Sequence, residues 1–122
     1  MVFSGGGEGK KFVDLPWVKR QIKENLSFIP YSGTLNLKLS GESVKRRKLL
    51  AKAHSVKVCP SEGYCSGTII KASIGTLKCA IVVPEIASYP KDVLEIIAAV
   101  NLREMLQLED GTEVPVTVAV NF

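Results

Sequence analysis

The sequence is poor in the residues that build metal clusters, disulfide frameworks and stacking surfaces: three cysteines, one histidine, one tryptophan and 7% aromatic residues. Cys59, Cys65 and Cys79 form an odd set with no Cys-x-x-Cys pair, which argues against both a disulfide framework and a zinc site. His54 precedes Cys59 by five residues and Cys65 follows six later, spacings that match no common ligand pattern, and a lone histidine makes no catalytic dyad. No uninterrupted apolar run approaches the ~18–20 residues of a membrane span. The start, Met1-Val2-Phe3-Ser4, lacks the basic and then apolar pattern of a secretory signal. The expectation is a cytoplasmic protein with reduced thiols and no membrane partner.

What is present suits one globular domain spanning residues 1–122, with 46% hydrophobic residues and enough length for a real core. A formal charge of +4 permits an anionic ligand without choosing one. Much of the excess sits in Lys45-Arg46-Arg47-Lys48, either a solvated helix or loop face or a grip on phosphates. That run supports one rival reading, a nucleic-acid-binding β-barrel without catalysis. The low aromatic content, with none inside the run, weighs against it.

Along the chain, Phe12-Val13 reads as a short strand, and Asp14 as the cap of a helix with Pro16 in its first turn and Val18, Ile22 and Leu26 on one face. Strands are expected over 55–58, 67–72 and 76–83, and the β-branched Ile96 and Ile97 favour a strand over 93–98. Asn101-Leu102-Arg103-Glu104 has a capping-box-like start, predicting a short helix with Leu102, Met105 and Leu106 on its apolar face. Asp110-Gly111 turns the chain into a last strand carrying Val114, Val116, Val118 and Val120, with Pro115 placing it at an edge or bulge. Six or seven short strands and two short helices suit a small closed or nearly closed β-barrel.

Three segments carry chemistry. In Pro30-Tyr31-Ser32-Gly33-Thr34-Leu35-Asn36-Leu37-Lys38-Leu39 the leucines at 35, 37 and 39 share one strand face. Thr34 and Asn36 share the other, so a hydroxyl and an amide oxygen come together, a pair suited to a hard cation such as Mg²⁺ when phosphates supply further ligands. Gly5-Gly6-Gly7-Glu8-Gly9-Lys10 is either a flexible tail or a loop whose N–H groups approach a phosphate; it fits neither a Walker A loop nor Gly-x-Gly-x-x-Gly. The helix start at Asn101, with Arg103, is a second place for anions.

These same residues, together with Leu15-Pro16, Val82-Val83-Pro84, Tyr89-Pro90 and Leu94-Glu95-Ile96-Ile97-Ala98-Ala99-Val100-Asn101-Leu102-Arg103-Glu104, resemble the archaeal CTP-dependent riboflavin kinases in order and spacing, except across about 42–75. The resemblance implies a mainly β fold with short helices, a six- to seven-stranded cradle-loop (RIFT-like) β-barrel. It also implies transfer of the γ-phosphoryl group of CTP to the 5′-hydroxyl of riboflavin, giving FMN and CDP; separately, a monomer is expected. It places the cytidine nucleotide on Gly5, Gly6, Gly7, Glu8, Gly9 and Lys10 and on Val100, Asn101, Leu102 and Arg103, Mg²⁺ on Thr34 and Asn36, and the flavin on Ala87 and Glu95. Position 87 is usually threonine in that family, and Ser88 is the candidate to replace its hydroxyl. Gly6 and Lys10 stand where a larger residue and arginine are common. An inactive relative that keeps a nucleotide or flavin site is a third reading, encouraged by Ala87 alone.

Overall fold

Part of the sheet of this protein is apolar on both faces, and that decides where its two cores lie. The computed structural model describes residues 1–4, 11, 13–53, 55–58, 67–84 and 90–118. The elements run β1 (Val2–Phe3), α1 (Pro16–Leu26), β2 (Leu35–Lys38), α2 (Gly41–Arg47) with a 3₁₀ turn (Lys48–Lys52), β3 (Ser55–Val58), β4 (Gly67–Ile74), β5 (Leu77–Pro84), β6 (Val93–Ile97) and α3 (Leu102–Met105). No described helix is long and apolar enough to cross a membrane.

The six strands form one antiparallel sheet in the order β1-β2-β6-β5-β4-β3. The register aligns Leu35 with Ile96 and Ile96 with Ile81, and Ile81 with Ile70, so one apolar row crosses four strands on the inner face. The alternate positions Ile69, Ala80, Val82 and Ile97 form a second core on the outer face, under Val18 and Ile22 of α1. Because the strand period is two, a one-residue slip of β2 would exchange the buried Leu35 and Leu37 with Asn36 and Lys38, so the burial of these leucines pins its register. The β4–β5 hairpin turns at Gly75, whose φ of 59° lies where glycine pays no Cβ penalty.

The sheet is not closed by a continuous ladder. β3 pairs only with the first half of β4, leaving Ser73 available to the isolated bridge it forms with Thr117. At the opposite edge, Gly111 N–H donates to the Val2 carbonyl and Val2 N–H donates to the Thr112 carbonyl, both at 2.8 Å. Residues 111–117 thus run from the β1 edge to β4 and span the gap, giving the sheet a barrel-like form. Val114, Val116 and Val118 pack against the inner core from this segment.

The expected strands at 55–58, 67–72, 76–83 and 93–98 are present, with β4 extended to Ile74. Four expectations need correction. The last valine-rich segment forms no strand over its described residues, 112–118: there only Thr117 bridges, and Pro115, lacking an N–H, interrupts any ladder, while Val120 lies outside the described residues. Val13 is helical and fully buried in the outer core, where packing meets the burial demand that suggested a strand, while Phe12 lies outside the described residues. Asp14 is not the cap of α1. Pro16 takes the first helical position and holds Leu15 extended at the cap position, and the Asp14 carboxylate instead accepts from the Ser32 hydroxyl at 2.8 Å. Met105 is 55% exposed, because a single-turn helix directs Leu102 and Leu106, four apart, to the core.

Cys79 sits in the inner core, and burial pushes its thiol from an ordinary value of 9.0 up to about 11. The folded state therefore keeps a proton that the unfolded chain has already lost above pH 9. The stabilisation is complete below pH 9 and disappears as pH rises to about 11, a loss of at most ~3 kcal/mol. Urea unfolding between pH 8 and 11 should show a steeper alkaline fall for the native sequence than for Cys79→Ala. Parallel curves would contradict it.

Candidate active site

The site is built outward from the turn that precedes β2. Gly33 has φ 132°, a conformation that side-chain-bearing residues rarely adopt, and it aims the chain into β2. The turn is tied down on both sides. Tyr31 N–H donates to the Ala98 carbonyl at 2.7 Å, just beyond β6, and Ser32 is held by Asp14, itself 3.7 Å from Lys19 on α1.

From this anchored turn, the Thr34 hydroxyl lies 3.4 Å from Asn36 Oδ1 and 3.5 Å from Glu95 Oε1. The convergence follows from the β2–β6 register, which pairs Asn36 with Glu95 directly. Leu35 and Leu37, in the same strand, face the inner core as expected. Glu95 is only 6% exposed, the sole charged residue among the buried ones described. The three side chains bring only oxygens together, the donor type that hard cations select. Two neighbouring ligands of an octahedral Mg²⁺ with ~2.1 Å bonds stand about 3 Å apart, close to the Thr34–Asn36 separation of 3.4 Å, so these residues fit such an ion. Among the described residues there is no group of three or more His, Cys, Asp or Glu side chains that would offer a rival centre.

Thr34 and Asn36 form one side of a cleft of about 320 Å³, and residues 100–103 form another. The tertiary structure thus brings the expected metal pair and one expected nucleotide segment to a single cavity. Within that segment the residues differ. Asn101 is the N-cap of α3: its Oδ1 accepts from Glu104 N–H at 3.1 Å and its Nδ2 donates to the Tyr31 hydroxyl at 3.4 Å. The Leu102 side chain is buried in the inner core, so its backbone is what it can present to a ligand. Arg103 lines the cleft, and its guanidinium donates to Asp110 Oδ1 at 2.6 Å.

Asp110 also accepts from the Ser4 hydroxyl, at 3.0 and 3.2 Å. The Arg103 guanidinium, and secondarily Ser4, hold the Asp110 carboxyl below the usual carboxylate range. Ser4 lines the cleft and immediately precedes the glycine run, whose residues 5–10 lie outside the described residues, as do Ala87 and Ser88. Tyr31, Ser4 and Asp110 escaped the sequence reading as site residues. An aspartate followed by glycine is already explained by turn chemistry, so nothing in the local sequence marked it.

The basic run falls elsewhere. Arg46 and Arg47, on α2, border a separate cavity of about 750 Å³ that includes Leu37, Lys38 and Leu94, at the far end of β2 from Thr34. The Arg47 guanidinium donates to the Pro90 carbonyl at 3.4 Å. The run does not join the cleft.

Comparison with known proteins gives a consistent result. The family model CTP-dep_RFKase, described as a domain of unknown function (DUF120), matches residues 2–118. The chain is 38% identical to the riboflavin kinase of Methanosarcina barkeri, over 94% of this chain and 53% of that protein. It is 37% identical to the riboflavin kinases of Archaeoglobus fulgidus, over 96% of this chain and 52% of that protein, and Pyrobaculum aerophilum, over 96% and 58%. The chain therefore spans about half the length of the curated relatives it matches.

The cap at Asn101 has a purely structural consequence. Asn101→Ala should lower stability by ~1 kcal/mol, within the 0.5–2 kcal/mol that lost caps cost, as measured by urea unfolding. An unchanged midpoint would mean that the observed Glu104 N–H contact contributes nothing.

Proposed function

This chain belongs to the CTP-dependent riboflavin kinase family, and we propose that it transfers the γ-phosphoryl group of CTP to the 5′-hydroxyl of riboflavin, giving FMN and CDP. The observation that carries this reading is the single cleft shared by Thr34, Asn36 and residues 100–103, with Ser4 at its border ahead of the glycine run. Phosphoryl transfer asks a protein mainly to position donor and acceptor and to neutralise charge on the phosphate oxygens.

The residues divide between these tasks. Arg103 and the backbone of residues 100–103 hold the nucleotide phosphates, and the glycine run, Gly5 to Lys10, is assigned to the same nucleotide. Thr34 and Asn36 hold Mg²⁺, which when bound supplies positive charge across the phosphates. Glu95, whose carboxylate is in contact with Thr34, is assigned a role at the acceptor hydroxyl, orienting it or accepting its proton. The same reading assigns Ala87, with Ser88 as the candidate hydroxyl, to flavin binding. The nucleic-acid alternative gains no observation, since the basic run lies away from the cleft.

Two measurements test the proposal. With riboflavin, Mg²⁺ and each of the four nucleoside triphosphates, FMN should form far faster with CTP than with ATP; equal or faster rates with ATP would overturn the donor assignment. Thr34→Val and Asn36→Leu should each lower the rate at limiting Mg²⁺ roughly 10- to 150-fold, if each lost interaction is worth ~1.5–3 kcal/mol. Both variants should remain folded, because neither side chain belongs to the apolar core. Unchanged rates would return the pair to an ordinary polar strand face.

A further inference from the structure

Asp110 joins two parts of the molecule that the chain itself keeps far apart. Ser4 lies 106 residues away and Arg103 seven, yet both donate to the same carboxylate, Arg103 at 2.6 Å. Ser4 and Arg103 both line the cleft, whereas Asp110 is not among its lining residues. The backbone fixes this corner independently: Gly111 N–H donates to the Val2 carbonyl, and Leu108 N–H donates to the Arg103 carbonyl, each at 2.8 Å. The carboxylate is thus held by main-chain bonds to β1 on one side and to α3 on the other.

We propose that Asp110 is a positioning residue of the nucleotide site, whose carboxylate sets the direction of the Arg103 guanidinium and ties it to Ser4. This deepens the kinase reading and rests on it. An exposed ion pair adds little to stability, because water screens it and two side chains must be ordered to make it. What such a pair supplies is direction. A guanidinium has several N–H donors in a rigid plane, so spending one on Asp110 orients the remaining donors for the oxygens of a phosphate. A free arginine at this position would have to be ordered by the nucleotide itself, and affinity would fall accordingly.

The test separates orientation from fold and from chemistry. Asp110→Ala in the full chain should raise KM for CTP about tenfold, the scale of one charge-assisted contact, with kcat changed less than about twofold and KM for riboflavin unchanged. Asp110→Asn, which keeps an acceptor oxygen but not the charge, should fall between the two. In an Arg103→Ala background the same Asp110→Ala change should have almost no further effect on KM for CTP, because the group it positions is gone. An unaltered KM in Asp110→Ala overturns the proposal. So does an equal shift in both KM values, or a full effect that persists without Arg103. Failure of the kinase reading is separately visible, as absence of FMN formation by the unsubstituted protein with CTP. In that event CDP titrations of the same variants decide the matter, and equal CDP affinities overturn the role of Asp110.

Discussion

The antiparallel pairing of β2 with β6 is the contact through which both core and site are organised. It sets Leu35 against Ile96 and Leu37 against Leu94 on the inner face, and in the same register sets Asn36 against Glu95 on the other. The apolar pairs stabilise the register, and the polar pair inherits its position from them. A carboxylate only 6% exposed is costly to bury, and here it stands within reach of the Thr34 hydroxyl while apolar residues on both sheet faces hold the strand in place. The site's chemistry is therefore a by-product of a packing decision made on the opposite side of the sheet.

The second organising feature is the way an open sheet is finished. An exposed edge presents unpaired N–H and C=O groups, and this fold covers the β1 edge and the end of β4 beyond β3 with residues 111–117 rather than with a full strand. That segment bonds to Val2, fills the inner core with alternating valines and ends on Ser73. By fastening β1 beside the turn that carries Asp110, it also decides where Ser4 lies relative to Arg103. Closure of the fold and assembly of the cleft thus depend on the same few main-chain bonds.

Much of this was legible in the chain. Period-two alternation marked β2, and the β-branched pair Ile96-Ile97 marked β6; an Asn followed three residues later by Glu marked the cap of α3, which forms as read. The misreadings have a common cause. Val13 looked like a strand residue and is helical because an outer core can be filled from either conformation; Val114, Val116 and Val118 alternate as a strand would, but among the described residues only Thr117 beside them forms a bridge. Asp14 was a plausible cap until Leu15, held extended before Pro16, took that position. In each case tertiary packing chose among local conformations that intrinsic preference left nearly equal.

By itself, the sequence determined the strand pattern, the Thr34 and Asn36 pair, the cap at Asn101 and the family resemblance, because each rests on residues within a few positions of one another or on a motif read in order. Only the tertiary structure decided that Thr34 and Asn36 share a cleft with Arg103, that Glu95 meets Thr34 from another strand, and that Asp110 joins Ser4 to Arg103. These contacts span 61 and 106 residues for Thr34–Glu95 and Ser4–Asp110. The physical reason is that local spacing fixes which way a side chain points from its own element, while strand order and register fix what it points at.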